Sequence, residues 1–291
     1  MKSYYHFCNE GLKNEVLFLN PAEFISGMNR VALSLLSCLN EGRDIQVICF
    51  CLMDNHVHFI LFGEKVDCMV FCDKYRFLTS IWIGRHREER LREPMKFDGW
   101  PIFSRDKLKE KIAYVLRNPV AAGLNVTPWG YRWSTGRLLF NDNSDLEPYL
   151  KRIGDMSARE IARRFFTRMT IPASWKMLPD GIIWPGCYVR SDIAHSQFQS
   201  VGDYQFYLND SRIDKITNEE MMKGGLSIPD GEVLSRANTL AAELMGKEKL
   251  SECTAAERIA IARILKKEKG CNHKQLARIT RLALEDISKL V

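Results

Sequence analysis

The first 63 residues alternate between runs typical of strands and stretches with helical periodicity. A short β-prone run covers residues 4–8. From Pro21 onward, apolar residues recur at steps of three and four as far as Leu39, and Gly42 follows, which predicts one amphipathic helix. Two apolar runs, 47–53 and 57–62, flank Asp54-Asn55-His56 and predict a hairpin. A helix followed by a hairpin indicates an α+β layer.

Two more helices are predicted before a turn-rich stretch. Residues 71–92 form a strongly basic helical segment, and residues 105–117 form a second helix that Pro119 and Gly123 should end. The turns over 128–145 close with a polar run suited to a linker. We therefore expect a first domain over residues 1–146. Residues 147–230 carry one predicted helix, 158–169, and are otherwise an unassigned connecting region.

The C-terminal part, residues 231–291, is predicted to be helical. Helical patterns cover 255–268, 273–280 and 284–290, with a break at 269–272. Residues 255–291 contain nine Lys or Arg against four acids. Short basic helices around a tight turn predict a helix-turn-helix whose second helix enters a major groove. A solvated helical tail is the alternative.

Composition narrows the class of protein. Of 291 residues, 46% are hydrophobic and 27% charged, which excludes a disordered or fibrous chain. The net charge of +6 favours a polyanionic partner. Nine cysteines and a polar N-terminus without a secretory pattern indicate free thiols and a cytoplasmic protein. The longest apolar run, 47–53, is far shorter than the roughly 20 residues that cross a bilayer.

His56-Val57-His58 is the most informative triplet in the chain. A strand alternates faces at each residue, so both imidazoles should point to one side, where a metal could bind. Tyr114 and Asn118, four apart on a predicted helix, share a face as a candidate nucleophile and metal ligand. A phenol of pKa about 10 attacks poorly at neutral pH unless a cation assists it. Hydrogen-bonded structural histidines and a packed tyrosine are the alternatives.

Three segments together resemble a known family. Residues 51–61, CLMDNHVHFIL, resemble the hairpin of HUH-class single-tyrosine transposases. Residues 114–124, YVLRNPVAAGL, resemble the nucleophile helix of the REP-associated branch, and residues 131–135, YRWST, its following motif. The resemblance covers about residues 3–140. The C-terminal segment separately resembles the helix-turn-helix of bacterial replication initiators.

The resemblance implies a ferredoxin-like α+β sandwich with an antiparallel sheet, and a role for single residues. His56, His58 and Asn118 would hold a divalent Mg or Mn ion, and Tyr114 would be the nucleophile. Attack on single-stranded, hairpin-bearing DNA would leave a 5′-phosphotyrosine and a free 3′-hydroxyl, and its reversal would join strands without ATP. Residues 97–105 depart from the aromatic-Gln-Gly-Arg-aromatic segment of relatives, which affects the expected hairpin recognition.

Basic residues are the expected DNA contacts, because Lys and Arg neutralise phosphates. Those of the first domain and of the C-terminal region are, in chain order, Lys74, Arg76, Arg85, Arg87, Arg117, Lys274 and Arg278, and the neutral Gln275 between the last two is a further expected contact. Core packing is expected of the tryptophans near this charge, with base stacking as the alternative: Trp82, Trp100, Trp129 and Trp133. Duplex DNA is a further expected partner of the C-terminal region, and both monomer and homodimer stay open.

We therefore expect a transposase that nicks and transfers single-stranded DNA. The first alternative is a domesticated, catalytically silent DNA-binding or regulatory protein that keeps the fold. The second is a metal-loaded scaffold or sensor in which the histidines serve structure and the tail binds duplex promoters.

Overall fold

A four-stranded antiparallel sheet forms the centre of the first half of the chain. The structure is a computed structural model that describes residues 1–9, 16–87, 91, 95–209, 230–269, 271 and 273–289. The sheet has the order β2-β3-β1-β4, with every neighbouring pair antiparallel. Its strands are β1 (Ser3–Asn9), β2 (Gln46–Leu52), β3 (Val57–Gly63) and β4 (Phe97–Ile102). The predicted first strand, hairpin and antiparallel α+β class are confirmed.

Two helices cover one face of the sheet. They are α1 (Pro21–Asn40) and α2 (Lys65–His86). Helix α1 begins as predicted, because Asn20 caps it by accepting a hydrogen bond from the Glu23 N–H and Pro21 occupies the first turn. Alternate residues of β3 point to this face, where the Phe59 ring lies 5.0 Å from that of Tyr75.

The predicted bounds of the basic helix, 71–92, were wrong at both ends. Helix α2 begins at Lys65, because Cys68 and Phe71 already bury the helix face that continues to Ile83. It ends at His86, and Arg87 has an extended backbone. Residues 88–90 and 92–94 lie outside the described part of the chain.

Helix α3 (Arg105–Ala121) packs on the opposite face of the sheet. Buried side chains that meet β2 and β3 include Leu108, Ile112, Val115 and Leu116. The predicted end at residue 117 was wrong, since the helix continues through Pro119. A proline removes one N–H donor, but here the Ala122 N–H still bonds to the Asn118 carbonyl, and Gly123 at φ 79° ends the turn.

The predicted connecting region packs on both faces of the sheet. Ile153, Phe165 and Ile183 join the core beneath α1 and α2, whereas Tyr204 and Leu208 join the core beneath α3. Its elements are β5 (Lys151–Arg152), α4 (Ala158–Phe165), β6 (Lys176–Met177), α5 (Ser191–Ser196) and α6 (Val201–Asn209). The predicted helix 158–169 ends early because Phe166 adopts a left-handed conformation, with φ 50°.

A C-terminal helical unit has its own core. It consists of α7 (Asp230–Met245), α8 (Ala255–Lys269), α9 (His273–Thr280) and α10 (Leu284–Ser288), so the three predicted helices are confirmed, the last one slightly shorter. Val16 extends this core from the first half of the chain. Gly231 is required at the contact, because a Cβ there would lie 2.0 Å from the Leu19 carbonyl oxygen.

Two further features follow from the packing. All nine cysteines are free thiols. Of the helices in the described ranges, none has the combination of length and apolar character that crossing a bilayer requires.

Candidate active site

The two histidines of the triplet lie at the end of β3 that meets α3. Val57 and Phe59 point into the core beneath α1 and α2. His58 therefore points to the α3 side, where Ile60 also packs. His56 lies in the turn before the strand, and the two imidazole centroids are 4.8 Å apart.

One carboxamide connects both imidazoles to α3. The Nε2 atom of His56 lies 3.0 Å from Oδ1 of Asn118, and the Nε2 atom of His58 lies 3.0 Å from Nδ2 of the same side chain. Tyr114 is one helical turn earlier, with its ring centroid 5.5 Å from that of His58. The structure thus brings together the four residues that the sequence singles out for chemistry.

A second layer of side chains orients the imidazoles. Nδ1 of His56 lies 2.8 Å from Oδ1 of Asn55, and Nδ1 of His58 lies 3.1 Å from Nε2 of His6. The His6 and His58 rings are stacked, with centroids 5.2 Å apart. His6 is not among the residues predicted from the sequence, although its alternation with Tyr4 and Cys8 on β1 places all three on one face.

Burial keeps all three imidazoles neutral at pH 7. It lowers the pKa of His56 to about 4 and, together with the charge of Lys111, that of His6 to about 3. The pKa of His58 falls well below its usual value through burial, with smaller contributions from His56, His6 and Lys111. A neutral imidazole is the form that binds a metal.

The donor set fits a divalent cation. Two ligands in adjacent positions of an octahedral ion, each about 2.1 Å from it, are about 3.0 Å apart. Nε2 of His56 and Oδ1 of Asn118 have this spacing, whereas the Asn118 atom that lies 3.0 Å from Nε2 of His58 is Nδ2, which does not ligate metals. A second-layer partner for the other ring nitrogen is typical of ligating histidines. Two imidazoles and an amide are the groups that would hold the ion. Within the described ranges, no cluster of three or more His, Cys, Asp or Glu could hold a metal.

The Tyr114 phenol is half-buried and protonated in this environment. Burial raises the pKa of Tyr114, and the Cys8 thiol adds to the rise, whereas a hydrogen bond with the Asn118 side chain and the charge of Arg117 oppose it. Nζ of Lys111 lies 5.0 Å from the Tyr114 ring centroid. Lys111 is likewise not among the residues predicted from the sequence, although it precedes Tyr114 by three residues and so shares its helix face.

The YRWST segment, residues 131–135, contacts strand β2 of the hairpin. The Tyr131 hydroxyl donates to the Leu52 carbonyl over 2.8 Å, and the Phe50 N–H donates to the Thr135 hydroxyl over 3.0 Å. The Trp133 ring stacks on Phe24, with centroids 4.9 Å apart. These contacts extend the edge of β2 and hold the strand that leads to His56.

The expected DNA contacts do not form one surface. Lys74, Arg76, Arg85 and Arg87 belong to α2 or directly follow it, on the face of the sheet opposite α3. Three of these pair with carboxylates, Lys74 with Glu41, Arg76 with Asp73 and Arg87 with Glu23, and Arg85 is exposed. Arg117 donates to the Leu208 carbonyl over 2.9 Å.

In the C-terminal unit, the predicted contacts face inward. Gln275 is buried and donates to Asp230 over 2.9 Å, and Arg278 forms an ion pair with the same carboxylate. The side chain of Lys274 lies outside the described part of the chain.

Among the four tryptophans, Trp100 lies nearest the site. It is 51% exposed on β4, and its ring is centred 5.9 Å from that of His6. Trp82 stacks on His86, and the Trp129 indole donates to the Leu139 carbonyl.

Comparison with known proteins produced no match to this chain, whether by family model, by curated protein or by solved structure.

Proposed function

We propose that this protein is a transposase that cleaves and transfers single-stranded, hairpin-bearing DNA with the help of a divalent metal, Mg or Mn. One observation carries the proposal: the side chains of His56, His58 and Asn118 converge within 3.0 Å contacts, one helical turn from Tyr114. A hydroxyl nucleophile beside two imidazoles and an amide is an arrangement suited to phosphoryl transfer.

The reaction exchanges one phosphodiester for another. The Tyr114 oxygen attacks the scissile phosphorus, the bond from phosphorus to the 3′-oxygen breaks, and the phenol loses its proton while the 3′-oxygen gains one. The strand then carries a 5′-phosphotyrosine and a free 3′-hydroxyl. Attack by a second 3′-hydroxyl reverses these steps and joins strands, so no nucleotide cofactor is consumed.

Residues of this chain supply orientation and charge. The divalent ion, when bound, would polarise the phosphate as a Lewis acid. Asn55 and His6 hold the imidazoles so that the Nε2 atoms face Asn118. Lys111 brings a positive charge close to the Tyr114 ring, where it would favour the phenolate. Trp100 and Phe103, both exposed, offer surfaces on which bases near the site can stack.

The topology and the thiols support the rest of the proposal. The element order β-α-β-β-α-β with strand order β2-β3-β1-β4 is what a ferredoxin-like sandwich of HUH nucleases requires. Helices α8 to α10 are the proposed helix-turn-helix that contacts duplex DNA. Nine free thiols support a cytoplasmic location.

A catalytically silent DNA-binding protein is the second candidate, because the side chains of the site can also satisfy one another's hydrogen bonds without a cation. If the Asn118 amide is turned end for end, its nitrogen donates to His56 and its oxygen accepts from His58. Neutral imidazoles then connect Asn55 to His6 in one hydrogen-bond chain. In this arrangement the histidines stabilise the fold and the chain binds DNA without cleaving it.

A covalent-capture experiment separates the two candidates. Wild-type protein is incubated with a library of 3′-labelled single-stranded hairpins and Mg or Mn, then run on a denaturing gel. Cleavage predicts a shifted, labelled band that disappears in Tyr114→Phe and on chelation. Tyr149→Phe is the matched control, because Tyr149 is 63% exposed and far from the site in sequence. Binding without any shifted band across the library would favour the silent protein.

A further inference from the structure

The turn that carries His56 is held by a segment that is remote in sequence. The Asp54 carbonyl accepts from the N–H groups of Leu17 and Phe18, over 2.6 and 2.9 Å. Within the turn, the Met53 N–H donates to the His56 carbonyl over 2.8 Å. Because Asp54 and His56 lie in one tight turn, the position of the imidazole depends on how Asp54 is held.

The Asp54 side chain connects this turn to the C-terminal unit. Its Oδ2 atom accepts from the Asp230 N–H over 2.6 Å, across 176 positions of sequence. Asp230 is the first residue of α7, and the first N–H groups of a helix have no acceptor within the helix itself. The helix dipole also favours a carboxylate at this end. Asp54 therefore caps a helix that belongs to another part of the chain.

The C-terminal unit fixes Asp230 in place. Asp230 is 1% exposed, and its carboxylate accepts from Nε2 of Gln275 over 2.9 Å and from Nη2 of Arg278 over 2.7 Å. The next residue, Gly231, lies so close to Leu19 that a Cβ would come within 2.0 Å of the Leu19 carbonyl oxygen. The start of α7 is therefore held from the side of α9 and from the side of the first domain.

Residues 16–19 tie the same turn to both cores. The middle two side chains of this segment are buried in the core beneath α1 and α2, whereas Val16 and Leu19 pack in the core of the C-terminal unit. The carbonyl of Asp54 is bonded to this shared segment, and its Oδ2 atom is bonded to α7. A displacement of the C-terminal unit would therefore act on the turn at two atoms of one residue.

We propose that Asp54 is a positioning residue through which the C-terminal unit sets the geometry of the His56 ligand. The inference rests on the proposed function and deepens it, because it makes the C-terminal unit a support of the catalytic site as well as a contact for duplex DNA. Asp54 itself is assigned no contact with metal or substrate. It acts through the turn, which places Nε2 of His56 3.0 Å from Oδ1 of Asn118.

The test compares two substitutions of Asp54 in the full chain. Asp54→Ala removes the acceptor of the Asp230 N–H, whereas Asp54→Asn keeps an oxygen in its place. Asp180→Ala is the matched control, because the Asp180 carboxylate also accepts a backbone N–H, that of Ile182 over 3.2 Å, and pairs with Arg132.

A further variant approaches the contact from the C-terminal unit. Gly231→Ala forces α7 away from the Leu19 carbonyl and leaves every residue of the turn unchanged. It also keeps the inference testable if Asp54→Ala does not fold.

Each variant is measured in two ways. Calorimetry gives the Mn affinity, and amide hydrogen exchange of the metal-free protein reports on the turn through the N–H groups of Met53 and Val57. These groups donate to the His56 carbonyl over 2.8 Å and to Oδ1 of Asn9 over 2.6 Å. Circular dichroism shows which variants are folded under the conditions of both measurements.

We expect Asp54→Ala to weaken Mn binding about tenfold, the lower end of the effect of removing a residue that orients a metal ligand. Exchange of the Met53 and Val57 amides should become faster, because the turn opens more often. Asp54→Asn should keep both values near those of the wild type, and Asp180→Ala should change neither. Gly231→Ala should weaken Mn binding and speed exchange in the turn, as Asp54→Ala does.

Wild-type Mn affinity and wild-type exchange in folded Asp54→Ala and Gly231→Ala would overturn the inference. A loss of Mn affinity in Asp54→Asn or Asp180→Ala as large as that in Asp54→Ala would overturn it too. If the wild type forms the covalent band while all variants bind Mn equally, the proposed function stands without this role of Asp54. If the wild type binds no Mn and forms no band, the proposed function is wrong, and faster exchange in the two variants would still support control of the turn by the C-terminal unit.

Discussion

Removing the Arg87 guanidinium should destabilise the protein strongly, because it is the charge partner of a buried carboxylate. The Arg87 and Glu23 side chains are only 12% and 5% exposed. Nε of Arg87 lies 2.7 Å from Oε1 of Glu23, and Nη1 donates to the Val16 carbonyl over 3.0 Å. Breaking a buried pair by truncating one partner costs about 3–5 kcal/mol, since the other charge stays buried and uncompensated. Arg87→Met should lower the free energy of unfolding by this amount.

Urea denaturation followed by circular dichroism measures the loss. Arg76→Met is the matched control on the preceding helix, because its pair with Asp73 is 41% and 65% exposed. An exposed pair of this kind contributes about 0–1 kcal/mol. In the double variant Arg87→Met and Glu23→Gln most of the lost stability should return, since no buried charge is left alone.

A different outcome would refute this account of Arg87. If Arg87→Met unfolds like the wild type and instead weakens DNA binding, the guanidinium contacts DNA, as its place in the basic segment predicts. A loss of stability with unchanged affinity for hairpin DNA would show that the residue is structural.

Four further substitutions, in three experiments, address the site and the contact between the two parts of the chain. Asn118→Ala and His58→Ala should each weaken Mn binding at least tenfold, because each removes one of three converging donors. Calorimetry measures this affinity, and an unchanged value would contradict the assignment of the metal ligands. Lys111→Met should slow formation of the covalent band about tenfold or more without changing hairpin affinity, since the Lys111 charge lies 5.0 Å from the Tyr114 ring. Equal rates would exclude a role for Lys111 in stabilising the Tyr114 phenolate. Gly231→Ala should lower the thermal midpoint by several degrees, because its Cβ would meet the Leu19 carbonyl at 2.0 Å; an unchanged midpoint would show that the contact is not required.

Local periodicity accounts for much of the fold. Helix α1, the hairpin of β2 and β3, and the three C-terminal helices have the predicted type and nearly the predicted bounds. The strands are short continuous apolar runs on either side of a turn, the apolar residues of the helices recur at a period near 3.6, and such patterns are properties of the chain itself. Most of the candidate site follows for the same reason, since Tyr114 and Asn118 are four apart on a helix and His58 lies on a predicted strand, although His56 lies in the turn before that strand.

The first and last residues of several helices depend on tertiary packing, which local sequence patterns do not record. Because proline usually ends a helix, Pro119 predicts that α3 ends at residue 117. The helix continues, since backbone N–H groups after Pro119 still donate to helix carbonyls. The start of α2 lies at Lys65, where buried Cys68 determines the helix face before the basic segment begins. The connecting region lacked a repeating pattern because its apolar side chains pack singly against a sheet formed by distant residues.

The sequence by itself determined which residues can perform chemistry, and the tertiary structure decided which of them meet. Asn118 contacts both imidazoles only because α3 packs on the His58 face of the sheet, and His6 reaches His58 only because β1 pairs with β3. Tertiary structure also decides what the basic side chains bind. Arg87 and Arg278 resemble DNA contacts in sequence, but the fold supplies each with a buried carboxylate more than 40 residues away. Ion pairing depends on distances in space, and these follow from the packing of whole elements and not from the order of residues.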